Sequence, residues 1–255
     1  MQATESMTYE QTECCLAETA QWVETVMIRL SPWLPCRRLR ILEVGAAQGR
    51  GVWTLQQLGY VAVGLEPWGP ALQVSLTLAA QHGMALTMVQ GTAEQLPFAT
   101  GTFDVVLAYS VLEHVQDLEG SLREIARVLR PRGLLWFNST SALCPRQAEI
   151  AVFPAFGWYP GPLKRAVMRW TLRHRPAWIG HSASPAMHWW TPRSTRRRLE
   201  AAGFEAMWDR WELRRLTEAS GWRRWLLAAA QHSRFVRYAL DVLIPDCAYA
   251  ARKGN

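Results

Sequence analysis

Apolar positions along the chain follow two alternating periodicities. Leu16, Ala20, Val23, Met27 and Leu30 recur at helical spacing and Ser31-Pro32 follows them, which predicts an N-terminal helix packed on what comes after. Four short aliphatic runs, 39–44, 61–65, 85–89 and 103–108, are then separated by stretches of helical composition. A fifth, 133–137, follows a helix-like stretch at 118–129. Strands that alternate with helices specify a parallel, doubly wound sheet. Right-handed crossovers gather the ends of its first strands at one crevice, so a ligand site is expected after Val44, Leu65, Val89 and Ala108.

From Thr140 to Trp190 the periodicity fades, and six prolines (Pro145, Pro154, Pro160, Pro162, Pro176, Pro185) punctuate a stretch rich in Trp and Arg. This reads as an insertion or lid. Thr191-Pro192 opens a further helix, Gly203 closes it, and a strand is expected from Phe204 to about Leu213. A last strand is expected at 247–251. Between them Trp222, Trp225, Leu226, Ala229, Val236, Leu240 and Leu243 fit one broad helical face, with Arg223, Arg224, Arg234 and Arg237 outside it. No stretch approaches the roughly 18–20 apolar residues that span a bilayer.

Charge divides these regions. Residues 1–162 hold 10 Lys/Arg against 14 Asp/Glu, whereas 163–224 hold 14 against 5, so the net charge of +7 belongs to one late segment. Nine of the fourteen tryptophans lie between Trp158 and Trp225, in nearly the same place. Five cysteines form an odd set without CxxC spacing, which argues against a disulfide framework and a zinc site. The N-terminus shows no basic start before an apolar run, so no secretory signal is expected. The expected location is cytoplasmic, with a peripheral place at the inner membrane face left open by the basic segment.

The chemistry concentrates after the first two strands. Glu43-Val44-Gly45-Ala46-Ala47-Gln48-Gly49 passes from strand through a turn of small residues into a helix, which lets a ligand approach backbone N–H groups. Glu66 lies seventeen residues beyond Gly49 at the end of the second strand, where a carboxylate accepts from ribose hydroxyls. A nicotinamide-dependent dehydrogenase is the natural competitor, but the glycines at 45, 49 and 51 do not have G-x-G-x-x-G spacing.

With three further motifs, the segment resembles the class I S-adenosylmethionine-dependent methyltransferases, especially the ubiquinone and menaquinone type. These are Gly91-Thr92-Ala93-Glu94-Gln95-Leu96-Pro97-Phe98, then Phe103-Asp104-Val105-Val106 with Ser110-Val111-Leu112-Glu113-His114-Val115, then the stretch from Glu124 to Phe137. The resemblance implies a Rossmann-like α/β fold: seven strands, mostly parallel and doubly wound, with an antiparallel C-terminal strand and helical lid insertions. It implies one domain over 1–255, a cofactor core at 39–139, and insertions at 140–190 and 214–245 that serve the substrate. Carried over, Gly45, Ala46, Ala47 and Gly49 line the methionine part of the cofactor, and Glu43 anchors the loop or receives the ammonium. Glu66 holds the ribose, Thr92, Ala93 and Glu94 edge the adenine, and Tyr109 and Ser110 close the methionine side. Thr92 stands where the family commonly has an acid, and a hydroxyl accepts more weakly than a carboxylate. Ala46-Ala47 is tolerable in the loop if neither residue needs positive φ.

Methyl transfer from a sulfonium needs alignment, desolvation and sometimes a base, and no metal. His114 reads as a general base or as a structural histidine, and His181, His188 and Tyr159 in the insertion as bases or packing residues. Glu113 and Asp117 are expected as helix N-terminal charges, Arg130 and Arg132 as caps of the turn before the fifth strand, and Arg196-Arg197-Arg198 as a solvent face. The cationic, aromatic pattern from Lys164 to Arg175 leaves four readings open: an anionic membrane surface, a lid whose Trp residues wall a pocket while Arg residues hold a carboxylate or phosphate, RNA, or a packed lid with a basic exterior. The expected acceptor is a small molecule or a lipid- or sugar-linked metabolite, with an RNA acceptor or a non-catalytic interaction protein as alternatives. Nucleic acid ranks last, because no RNA-binding module is present.

Overall fold

A computed structural model describes residues 9–81, 83, 85–147, 149–179 and 185–255. Two compact units divide it, one ending at Gly91 and one spanning Thr92–Asn255. The described elements of the first are α1 (Tyr9–Leu30), β1 (Arg40–Val44), α2 (Arg50–Gln57), β2 (Val61–Glu66), α3 (Gly69–Gln81) and β3 (Met88–Gln90). The second holds β4 (Phe103–Tyr109), α4 (Leu118–Val128), β5 (Leu129–Thr140), α5 (Gly161–His174), α6 (Pro192–Ala201), β6 (Phe204–Asp209), α7 (Arg210–Leu213), α8 (Gly221–His232), α9 (Arg234–Leu243) and β7 (Asp246–Lys253).

In the first unit β1 pairs parallel with β2, and β2 parallel with β3. In the second, β4 and β5 run parallel while β7 lies antiparallel between β5 and β6. The seven strands make a mostly parallel α/β sheet of Rossmann-like type with an antiparallel C-terminal strand. β1, β4 and the stretch 133–139 of β5 are almost wholly buried, as expected for strands covered on both faces.

Several elements differ from the sequence expectation. β3 covers only Met88–Gln90, the three residues in register with Gly64 to Glu66 of β2, and before it Thr87 contributes just its carbonyl, which accepts Gly64 N–H at 2.9 Å. β5 starts at Leu129, four residues early, and Arg132 turns through φ 62 within it, so Arg130 is no cap but pairs with Asp104 at 2.8 Å. β6 stops at Asp209, whose carboxylate accepts the N–H groups of Trp211 and Glu212 and so starts the short α7. The single helix expected over 222–243 breaks at Ser233, whose hydroxyl caps α9. The packed side of this pair is then Leu227, Ala230, Val236, Leu240 and Ile244 against Trp211, and Trp222 and Trp225 stand in solvent. Arg237 is not outside: it reaches Asp209 at 2.7 Å and Glu212 at 3.2 Å. Thr191 caps α6 as expected, accepting from Ser194 N–H at 3.1 Å. No helix among the described residues is long and apolar enough to cross a membrane.

Candidate functional site

In the first unit, β1 delivers the chain into a turn of mostly small residues. Gly45 and Ala46 both donate their N–H groups to Leu65 O, at 2.8 and 3.0 Å, which pins the turn to the end of β2. Gly49 closes it at φ 76 and is the N-cap of α2. Ala47 takes φ 46, the left-handed region, so the loop does require positive φ at an alanine. It is exposed there, and the strain has little packing to offset it.

Glu66 ends β2 buried, with one carboxylate oxygen 2.9 Å from Ala47 N and the other 3.1 Å from Trp68 N. It thus ties the glycine turn to the entry of α3. A carboxylate has about four lone-pair sites, so two bonds leave acceptor capacity on each oxygen.

Glu43 is buried and lies against the first turn of α2, where a Cβ on Gly51 would meet its Oε1 at 2.4 Å. Burial pushes its carboxyl up to about 8, against a backbone hydrogen bond from Val52. Its Oε2 has no hydrogen-bond partner. The carboxyl is therefore mainly protonated at neutral pH.

The second unit presents the remaining candidates. Thr92 is exposed and Ala93 buried, in a tight turn with Gln95 N–H on Thr92 O at 3.3 Å. Glu94 accepts Gln116 N–H at 2.8 Å. Sequence reasoning missed what holds this segment: Arg127 donates to Leu96 O and Phe98 O, and Glu124 accepts Leu96 N–H, with Arg127 and Glu124 paired at 2.7 Å. Their spacing of three on α4 was the available signal.

At the end of β4, Tyr109 is half exposed and stacks near Trp136 at 6.3 Å. Ser110 has φ 52 and donates its N–H to Asn138 Oδ1 at 2.9 Å, so Asn138 on β5 holds the strained residue. Asp117 caps α4, but Glu113 does not serve a helix. It is buried, accepts Ser139 Oγ–H at 2.7 Å, and its carbonyl takes the N–H groups of Met187 and His188.

His114 Nε2 lies 3.3 Å from Glu149 of the insertion. Burial lowers the affinity of this imidazole for a proton, but the Glu149 hydrogen bond and charge and the Glu113 charge outweigh it, and the pKa is raised. No clustered ligand set is visible in the sequence, yet the fold gathers one: Glu113, His114 and Glu149 offer ligand atoms within 4.8 Å of one another. His188 donates Nε2–H to Val115 O at 2.9 Å, and Tyr159 packs on Phe156. His181 lies outside the described residues.

The insertion also departs from its pattern. α5 turns Lys164 and Met168 inward and leaves Trp170 half exposed, so Lys164 is not part of an outer cationic stripe. On α6, Arg196 and Arg197 face solvent, while Arg198 lies over the Trp190 ring at 5.5 Å and pairs with Glu119 at 3.3 Å.

Residues 42–137 match the family model described as a methyltransferase domain. A ubiquinone biosynthesis O-methyltransferase of Azorhizobium caulinodans is 31% identical over 171 residues, 67% of this chain and 60% of the relative. The chain thus spans well under the full length of the curated relatives it matches. The YcgJ protein of Bacillus subtilis has the same fold at TM-score 0.55 and 16% identity, covering 91% of this chain and 99% of that one. The phosphoethanolamine N-methyltransferase 2 of Haemonchus contortus, solved with S-adenosylmethionine, superposes at TM-score 0.57 and 14% identity, covering 93% and 56%. Residues 42–137 are a methyltransferase domain of the class I S-adenosylmethionine-dependent family.

Proposed function

We propose that the chain binds S-adenosylmethionine and transfers its methyl group to a small-molecule acceptor, with 1–255 working as one catalytic domain. The observation that carries this is Glu66: the carboxylate that the family's pattern assigns to the ribose is bonded to the glycine turn itself, 2.9 Å from Ala47 N. The residues suit the group in a second respect. Glu43 has a buried oxygen without a hydrogen-bond partner, and an ammonium supplies what it lacks.

S-adenosylmethionine supplies an electrophilic methyl on a sulfonium. Gly45, Ala46, Ala47 and Gly49 present backbone to its methionine part and Glu66 holds the ribose. Thr92, Ala93 and Glu94 serve the adenine, and Tyr109 and Ser110 the methionine end. We read His114 as a positioning residue, because an imidazole held by a carboxylate and favoured in its protonated form is a poor acceptor of a proton. Glu66→Ala weakens calorimetric binding of S-adenosylmethionine in the expected outcome. A wild-type chain that gives no binding heat at millimolar cofactor would defeat the assignment.

A second reading concerns where the acceptor resides. Trp222, Trp225, Phe235 and Leu243 are all more than two-thirds exposed on α8 and α9, and no acidic residue occurs from 219 to 240 beside Arg223, Arg224 and Arg234. Apolar anchors with cations fit an anionic membrane surface. Flotation with anionic vesicles that is lost in high salt supports it, and no flotation at low salt rejects it.

A further inference from the structure

Within the second unit, the first turn of α5 and residues 187–189 line an open pocket of about 460 Å³ that none of the roles above uses. Trp158, Tyr159 and Trp189 wall it, and Lys164, Arg165 and Arg198 lie in its lining. Its volume falls in the range of small-molecule pockets.

The charge inside is unbalanced. Lys164 is 4% exposed, and among the described residues it makes no hydrogen bond and no carboxylate pair. Its one described partner is the face of Trp189, 4.9 Å from Nζ. An ammonium partly withdrawn from water without an anion is costly, and a cation–π contact offsets only part of that cost. Arg198 is half spent: Glu119 takes Nε, while Nη1 is buried without a partner. The N-cap of α5 is Pro160, which offers no side chain to the first-turn N–H groups, so the positive end of the helix dipole is also unanswered. No carboxylate lines the cavity among the described residues.

We propose that this cavity is a subsite for a phosphoryl group borne on an aromatic body, with Lys164, Arg165, Arg198 and the α5 N-terminus holding the phosphate and Trp158, Tyr159 and Trp189 the ring. Three cations favour a dianion over a carboxylate. That the bound molecule is the methyl acceptor rests on the proposed methyltransferase reading; that the cavity binds such an anion does not. Burial pulls the Lys164 ammonium down to about 8, so it remains charged at neutral pH and discharges just above it.

The test is calorimetric titration of the full chain with phenyl phosphate, with phenol as the uncharged control and S-adenosylmethionine titrated in parallel. Wild type is expected to bind phenyl phosphate saturably at pH 7 and phenol not at all. Lys164→Met weakens phenyl phosphate at least tenfold and the exposed Arg165→Gln severalfold, both with cofactor affinity unchanged. A wild type that binds cofactor but not phenyl phosphate overturns the subsite and leaves the methyltransferase reading standing. Binding that neither variant weakens overturns it too. Binding of phenyl phosphate without cofactor binding keeps the subsite and removes the methyltransferase reading. Competition by phosphatidate vesicles assigns the phosphate to a lipid headgroup, and lack of competition to a free molecule; the subsite stands in both cases.

Discussion

Glu43→Gln should make the protein's stability less dependent on pH, because this carboxyl is held up to about 8 by burial against an ordinary value of 4.5. The sign follows from linkage. A carboxyl whose pKa is higher in the folded than in the unfolded chain stabilises the fold fully below 4.5, and that stability is lost as pH rises through 8. Each pH unit in the interval is worth about 1.4 kcal/mol, so between pH 5 and 7.5 the wild type forfeits about 3 kcal/mol that the variant retains. For a chain of this size that corresponds to a relative midpoint shift of roughly 6–12 °C. Gln keeps the acceptor for Val52 N–H but buries an amide where Oε2 lacks a partner, which adds an offset independent of pH. The slope, not the absolute midpoint, is therefore the readout. Thermal denaturation of both proteins at half-unit steps from pH 4.5 to 8.5 measures it. Parallel curves would show that Glu43 ionises normally and refute the argument. The same carboxyl separates its two assigned roles. If it receives the cofactor's ammonium, S-adenosylmethionine binding at pH 7 releases a proton, visible as a buffer-dependent heat; if it only anchors the loop, the heat is the same in all buffers.

Ala47→Gly relieves a left-handed alanine, and after the greater entropy of the unfolded glycine is subtracted it should stabilise by about 0.5–1 kcal/mol, read as a raised denaturation midpoint. Gly64→Ala should do the reverse, by about 3 kcal/mol or more. Its Cβ would lie 2.4 Å from Met88 Sδ and 2.8 Å from Ala46 Cβ and Val52 Cγ2, and a soluble, equally stable variant would contradict that packing. Phenyl phosphate affinity should fall above pH 8 in wild type, as Lys164 loses its proton, and stay flat there in Lys164→Met; titrations at pH 7 and 9 decide it.

The alternation of aliphatic runs with helical stretches determined the α/β class, and four motifs in order determined the cofactor family. Both are local: strand and helix periodicities and the small-residue turn are written in neighbouring positions. β1, β2 and β4 were legible to within a residue at each end for that reason. Where the ends of elements depend on partners far along the chain, sequence could not supply them. β5 begins early, at Leu129, where pairing with Phe103 allows it, and β6 ends at Asp209 because its carboxylate caps a new helix. The same holds for charges. Lys164, Arg198 and Arg237 look alike in a basic segment, yet packing puts the first against Trp189, the second over Trp190 and the third against Asp209. His114, next to Glu113, gained Glu149 only through the fold. The cofactor family is legible because its motifs are written in short contiguous stretches of strand, turn and helix. The proposed anion subsite rests on cations whose meaning lies in what surrounds them, and only the tertiary structure decides that.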